Sequence, residues 1–125
     1  LTELIKISNE NLKLINDWVL KTNWIKFLAK DKTTISNTSI CLKFSDLIQN
    51  DLNIDNQNLL EKNIVNILEN ENVAFDIGSY RSAPPGLRIW GGPTINPSDI
   101  KALLPWLEWA FEETYELVKK GILNG

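Results

Sequence analysis

The spacing of apolar side chains predicts three amphipathic helices. Over residues 1–21, apolar positions recur at helical intervals, at Leu1, Leu4, Ile5, Leu12, Ile15, Trp18 and Val19. A second helix is expected over about residues 57–70, where Asp55 or Asn56 can cap the first turn. Its buried side is expected to consist of Leu60, Ile64, Ile67 and Leu68.

The third predicted helix has the clearest beginning and end. Asn96 can cap it, Pro97 suits its first position, and Asp99 lies three residues after the cap. Apolar residues then recur at helical spacing up to Gly121, which ends the helix. Pro105 lies inside this helix and removes one backbone hydrogen bond, so we expect a kink there and not an end.

Four short segments between these helices have the pattern of strands: residues 24–29, 39–44, 73–77 and 87–90. Alternation is clearest in the second, which places Ile40, Leu42 and Phe44 on one face. The order helix, two strands, helix, two strands, helix is typical of an α+β fold. We therefore expect residues 1–125 to form a single domain, with helices packed on one face of a mainly antiparallel four-stranded sheet.

Composition excludes several classes of function. The chain has 125 residues, a net charge of −3, one cysteine and no histidine. A negative charge argues against nucleic-acid binding, and no apolar run approaches the length of a membrane span. No basic segment followed by an apolar one suggests a signal peptide at the start. Without histidine, neither a Ser-His-Asp nor a Cys-His hydrolase is expected. With Cys41 as the one cysteine, no metal site is expected either, and we interpret Cys41 as an unreactive strand residue.

Glycine and proline are concentrated in one part of the chain. The first 77 residues contain neither, whereas residues 78–97 contain eight of the eleven present. Such a composition predicts a rigid, sharply bent loop, and both arginines, Arg81 and Arg88, lie within it. Because the chain otherwise uses lysine, two guanidinium groups in this loop indicate an anion-binding site. Residues alone leave open the alternative of a structural salt bridge or a solvated arginine.

Other conspicuous side chains have plainer interpretations. We expect Trp90, Trp106 and Trp109 to lie in the core or against a neighbouring domain, because aromatic residues at strand or helix spacing usually do. The four glutamates of the last helix are expected to form a solvated face: Glu108, Glu112, Glu113 and Glu116.

The segment from Phe75 to Thr94, FDIGSYRSAPPGLRIWGGPT, closely resembles the C-terminal small domain of phosphoserine aminotransferases of the alphaproteobacterial type. Further similarity runs through LLPWLEWAF in the last helix, and earlier through Trp24–Ala29 and Ser36–Leu42. This family is a class V, fold-type I group of pyridoxal-phosphate-dependent transaminases. The resemblance implies amino transfer from glutamate to 3-phosphohydroxypyruvate, giving phosphoserine and 2-oxoglutarate in serine synthesis. Some members also serve pyridoxine synthesis.

The resemblance also implies roles for particular residues. Arg88, in the Gly-Leu-Arg-Ile motif, is expected to bind the substrate α-carboxylate. Tyr80 and Arg81 occupy positions at which relatives hold the substrate phosphate, in some of them with a His-Arg pair. Tyr80 offers only a hydroxyl there, and Ile35 stands where an arginine is expected. No catalytic residue is expected within this chain.

The cofactor and partners expected from the resemblance lie outside the chain. Pyridoxal phosphate would be bound by a large domain of the same polypeptide, and the complete enzyme would be a cytoplasmic homodimer. The resemblance therefore implies that this chain is a fragment of a longer enzyme and is inactive alone. An apolar patch involving Trp90 and Trp109 would meet the large domain. The alternatives are a free-standing interaction or small-anion-binding module and a class V aminotransferase for unphosphorylated substrates.

Overall fold

The computed structural model describes residues 2–28, 39–74, 76–80, 83–92 and 94–121. In chain order its elements are α1 (Thr2–Lys21), β1 (Ile25–Phe27), β2 (Ser39–Phe44), α2 (Asp46–Asp51), α3 (Ile54–Asn70), β3 (Gly86–Trp90) and α4 (Pro97–Lys119). The expected α+β class is confirmed. The short helix α2 was not predicted, because six residues are too few to show helical periodicity.

The sheet has three antiparallel strands in the order β1-β2-β3, so within the described residues the predicted four-stranded sheet is wrong. Of the expected strand at 73–77, residues 73, 74, 76 and 77 are described, and none of them belongs to a strand. Asn72, just before this range, and Asp76, within it, have φ angles of 57° and 58°, a left-handed conformation that a continuous extended strand does not tolerate. What remains of the pairing is one antiparallel bridge between Gly78 and Leu87, and the Arg88 amide donates to the Ile77 carbonyl at 2.7 Å.

The two faces of the sheet differ in chemistry. Side chains of the inner face are apolar and mostly fully buried: Ile25, Ile40, Leu42, Phe44, Leu87 and Ile89. They form one core with buried side chains of the helices, so the helices cover this face as predicted. Register places a second set on the opposite, outer face: Lys26, Lys43, Cys41 opposite Arg88, and Ser39 opposite Trp90.

The helices follow their sequence signals closely. α3 begins one turn earlier than expected, because Asn53 caps it by accepting from the Asn56 amide at 2.8 Å. Asn96 caps α4, and the helix continues through Pro105 to Lys119. Gly121, with a φ angle of 76°, follows its end.

Burial along α1 differs from the prediction. Leu4 and Ile5 are 46% and 56% exposed, whereas Ser8 and Asn11 are buried together with Ile15. No helix among the described residues is long and apolar enough to cross a membrane.

Candidate functional site

Arg88 lies in the middle of β3, and the strand fixes the direction of its side chain. Its neighbours Leu87 and Ile89 are 0% and 1% exposed on the inner face. Because side chains alternate along a strand, Arg88 extends from the outer face, away from the helices. The flanking core residues thus anchor the backbone from which the guanidinium projects.

Two aromatic rings lie beside the guanidinium. Its central carbon is 4.2 Å from the ring centroid of Tyr80 and 5.2 Å from that of Trp90. Nη2 also donates to the Asp76 carbonyl at 3.3 Å. Aromatic faces attract a cation but do not neutralise its charge. The contacts therefore hold the guanidinium in place while leaving its charge available.

Arg88 has no carboxylate partner among the described residues. The ion pairs there join Lys13 to Asp17, Lys26 to Asp46 and Lys119 to Asp51. Within the same part of the chain, Nε of Arg88 is buried and has no hydrogen-bond partner. A buried donor without a partner is costly, and a ligand oxygen would remove that cost. The structural-salt-bridge interpretation therefore has no support from these residues.

Tyr80 belongs to the same group of side chains. It is 45% exposed, and its hydroxyl forms a hydrogen bond with Oγ of Ser39 at 3.2 Å. Ser39 stands opposite Trp90 in the sheet. The hydrogen bond therefore connects Tyr80 to the strand position that faces Trp90. We call Arg88, Tyr80 and Trp90 the arginine cluster. Arg81 and Ile35, also named from the sequence, lie outside the described residues.

A carboxylate that the sequence did not single out holds the segment before β3. Glu61 of α3 accepts from the Ser79 amide at 3.2 Å, from Ser79 Oγ at 2.7 Å and from the Gly86 amide at 2.8 Å. These donors lie 18 and 25 positions further along the chain, and no local pattern reveals such a contact. The only signal was a charged residue directly after the buried Leu60.

Gly86 allows β3 to approach β2. A Cβ atom at this position would lie 2.1 Å from the Leu42 carbonyl oxygen and 2.6 Å from Cα of Lys43. Both are backbone atoms, which cannot move aside without breaking the ladder. The glycine of the Gly-Leu-Arg-Ile motif is thus required for strand packing two residues before Arg88.

Asn11 of α1 holds the turn that follows β3. Its Nδ2 lies 3.1 Å from the Gly91 carbonyl, 3.2 Å from that of Gly92 and 2.8 Å from that of Ile95. The side chain is 0% exposed. Sequence reasoning missed this residue, because its partners are 80 or more positions away.

Glu108 corrects the prediction of a fully solvated glutamate face on α4. Its carboxylate accepts from Nε1 of Trp18 at 3.0 Å and from Nε1 of Trp24 at 3.2 Å. Trp24 is 2% exposed and stacks on Phe111 with ring centroids 4.2 Å apart. Glu112, Glu113 and Glu116 are exposed, as expected. Glu108 is therefore a structural acceptor that joins α1 and α4.

The tryptophans predicted for the core or a domain contact lie in two places. Trp90 and Trp106 are 44% and 39% exposed, so neither belongs to the core. Trp106 and Trp109 line an open cavity of about 610 Å³ with Glu71, Ala102 and Pro105. None of these five cavity residues belongs to the arginine cluster.

Comparison with known proteins agrees with the resemblance seen in residues 75–94. Over 119 residues, 95% of its length, the chain is 48% identical to "Phosphoserine aminotransferase" of Methanosarcina mazei. Over the same number of residues it is 44% identical to the protein of that name from Methanosarcina barkeri. The chain spans 28% of the length of each relative. No family model matches it. The chain is thus homologous to one segment of phosphoserine aminotransferases.

Proposed function

We propose that this chain, a segment of the phosphoserine aminotransferase family, is the small C-terminal domain of such an enzyme and that Arg88 binds the α-carboxylate of its substrates. The observation that carries this proposal is the state of the Arg88 guanidinium. It lies beside two aromatic rings, it has no carboxylate partner among the described residues, and its Nε is buried without a hydrogen bond.

Arginine suits this role better than lysine. Its planar guanidinium can donate two parallel hydrogen bonds to one carboxylate, and this fixes the orientation of the acid as well as its position. Glutamate and 3-phosphohydroxypyruvate both carry an α-carboxylate next to the carbon that gains or loses the amino group. One arginine can therefore orient the amino donor and the acceptor in turn.

The second anionic end of the substrate would lie near Tyr80. In this proposal the phosphate is bound by Arg81 and by the Tyr80 hydroxyl, which already forms a hydrogen bond with Ser39. The close contact between the Tyr80 ring and Arg88 supports placing the two anionic ends of one small acid at neighbouring positions.

The cofactor implied by this family is pyridoxal phosphate, and among the described strand residues of the outer face only Lys26 and Lys43 are lysines. Binding requires a lysine that can attach the cofactor covalently and donors that surround its phosphate. On the outer face Lys26 is paired with Asp46 at 2.7 Å, and Lys43 lies opposite Gly86 in the sheet. We therefore propose that a large domain of the same enzyme binds the cofactor, which supplies the electron sink for the reaction. This chain would bind and orient substrate, and it would be inactive alone.

The test is a kinetic study of the complete enzyme encoded by the parent gene. Purified enzyme should transfer the amino group of glutamate to 3-phosphohydroxypyruvate. Arg88→Ala should lower kcat/KM for both acids by about a hundredfold, because removing one partner of a desolvated charge pair costs roughly 2–4 kcal/mol. Lys43→Gln, which removes a cation from the same face, is the matched control and should leave both values within about twofold.

Three results would each contradict a part of the proposal. Absence of glutamate-dependent amination would favour a free-standing anion-binding module. If Arg81→Ala left the KM for 3-phosphohydroxypyruvate unchanged, the phosphate role of that arginine would be wrong. Equal efficiency with 3-hydroxypyruvate, which lacks the phosphate, would favour an aminotransferase for unphosphorylated substrates.

A further inference from the structure

Glu61 connects the two chain segments that carry the arginine cluster. One of its oxygens, Oε1, accepts from Ser79 Oγ at 2.7 Å and from the Gly86 amide at 2.8 Å. The other, Oε2, accepts from the Ser79 amide at 3.2 Å. One carboxylate thus joins position 79 to position 86, although the two are seven positions apart in sequence.

Both of these contacts lie directly beside residues of the proposed site. Ser79 precedes Tyr80, and Gly86 is the first residue of β3, two positions before Arg88. Further back, the Arg88 amide donates to the Ile77 carbonyl at 2.7 Å. The Glu61 carboxylate and this backbone bond together fix Tyr80 relative to Arg88.

The chemistry of these contacts suits a positioning role. All three donors are neutral amide or hydroxyl groups, and the ion pairs of the described residues do not include Glu61. Hydrogen bonds from neutral donors to a carboxylate are stronger than those between neutral groups. Glu61 therefore holds the loop firmly from the helical side and forms no bond with Arg88 that would compete with a substrate.

We propose that Glu61 is a positioning residue that sets the spacing between the carboxylate-binding and phosphate-binding ends of the substrate site. This inference rests on the function proposed above for Arg88 and Tyr80. Its consequence is specificity. A fixed spacing favours an acid with two anionic ends at the matching separation, and a loosened loop loses that preference while Arg88 still binds the α-carboxylate.

The complete enzyme can test this with two measurements on Glu61→Ala, Glu61→Gln and the control Glu69→Gln, which lies two turns further along α3. The first is the ratio of kcat/KM for 3-phosphohydroxypyruvate to that for 3-hydroxypyruvate. Glu61→Ala should lower this ratio by about tenfold or more, because charge-assisted hydrogen bonds are lost. Glu61→Gln keeps one acceptor oxygen, so its ratio should lie between the ratios of Glu61→Ala and the wild type. Glu69→Gln should leave the ratio unchanged.

The second measurement does not depend on activity. Amide hydrogen exchange in peptides that contain Ser79 and Gly86 should accelerate in Glu61→Ala, to a smaller degree in Glu61→Gln, and not in Glu69→Gln. A purely structural defect would lower the catalytic efficiency for both acids equally and would leave the ratio intact.

These outcomes separate the two proposals. An unchanged ratio in Glu61→Ala, in an enzyme whose wild type prefers the phosphorylated acid, would overturn the positioning role and leave the proposed function standing. A wild type without that preference would overturn the proposed substrate and, with it, the specificity role of Glu61. Unchanged amide exchange in Glu61→Ala would overturn the positioning role whatever the substrate.

Discussion

The ring centroid of Tyr80 lies 4.2 Å from the guanidinium carbon of Arg88. The Tyr80 hydroxyl forms a hydrogen bond with Ser39 of β2, the strand next to the one that carries Arg88. The ring therefore has a function of its own, apart from any contact of the hydroxyl with a phosphate. It packs against the guanidinium and helps to hold it in the position from which it can meet a carboxylate. The two contributions of Tyr80 can be separated by substitution.

Tyr80→Phe retains the ring and loses only the hydroxyl, whereas Tyr80→Ala removes both. Because a cation–aromatic contact at a partly exposed site contributes about 0.5–1 kcal/mol, Tyr80→Ala should raise the KM for glutamate by roughly two- to fivefold. Tyr80→Phe should leave that KM near the wild-type value. Steady-state kinetics of the complete enzyme measure the KM for glutamate in each variant. Equal effects of Tyr80→Phe and Tyr80→Ala would contradict a role for the ring.

Gly86→Ala is expected to destabilise the fold, because the new Cβ would lie 2.1 Å from the Leu42 carbonyl oxygen. Overpacking of this kind costs about 1–3 kcal/mol in the free energy of unfolding, and the strand that carries Arg88 would shift. Gly78→Ala is the matched comparison, since its nearest contact is the side-chain oxygen Oε2 of Glu61 at 3.3 Å. Denaturant unfolding of the 125-residue chain should rank Gly86→Ala as the less stable variant. The reverse order would show that the ladder accommodates a side chain at position 86.

Glu108→Ala should also reduce stability, because it leaves the indole N–H groups of Trp18 and Trp24 without their acceptor. A buried donor that loses its partner costs roughly 1–3 kcal/mol. Glu112→Ala, an exposed change on the same helix, should alter the free energy of unfolding by less than about 0.5 kcal/mol. Denaturant unfolding monitored by tryptophan fluorescence measures the free energy of unfolding of both variants. Similar values would mean that Glu108 belongs to the solvated face of α4.

Tyr115 should titrate at unusually high pH. Partial burial and the hydrogen bond that it donates to the Asp51 carboxylate raise the pKa of Tyr115 to about 12. The Tyr115 bond and Lys119 lower the pKa of Asp51. Because the folded-state pKa of the phenol lies above its ordinary value of 10, this bond stabilises the fold below about pH 10. Its contribution is lost as the pH rises toward 12.

The difference in tyrosinate absorbance between the wild type and Tyr115→Phe isolates this titration. A midpoint near 10 would show that the bond to Asp51 does not form in solution. Tyr115→Phe lacks the ionisable hydroxyl, so its free energy of unfolding should fall less than that of the wild type between about pH 10 and 12.

Features governed by local sequence were predictable. Asn96, Pro97 and Gly121 mark the ends of α4 through contacts within a few residues, and alternation in residues 39–44 gave β2 and its buried face. The outward direction of Arg88 follows from the same alternation. These predictions depend on backbone geometry that neighbouring residues determine.

Features governed by distant contacts were not predictable. Asn11 replaces an apolar residue on the buried side of α1 because carbonyls some 80 positions away need a donor. Glu61 and Glu108 looked like ordinary helix-surface charges, and only the fold shows the amides and indoles that they accept from. The expected strand at 73–77 failed for a local reason, since Asn72 and Asp76 are of the residue types that tolerate left-handed backbone.

The central claim concerns the partner of Arg88, and a crystal structure of the complete enzyme with a bound substrate acid tests it most directly. The account predicts that the α-carboxylate lies against the guanidinium in a bidentate pair, with N···O distances of about 2.7–2.9 Å. It also predicts that Nε, which has no partner among the residues described here, donates to one of the two oxygens. A carboxylate bound elsewhere, with Arg88 paired to an acidic side chain of the enzyme, would contradict it.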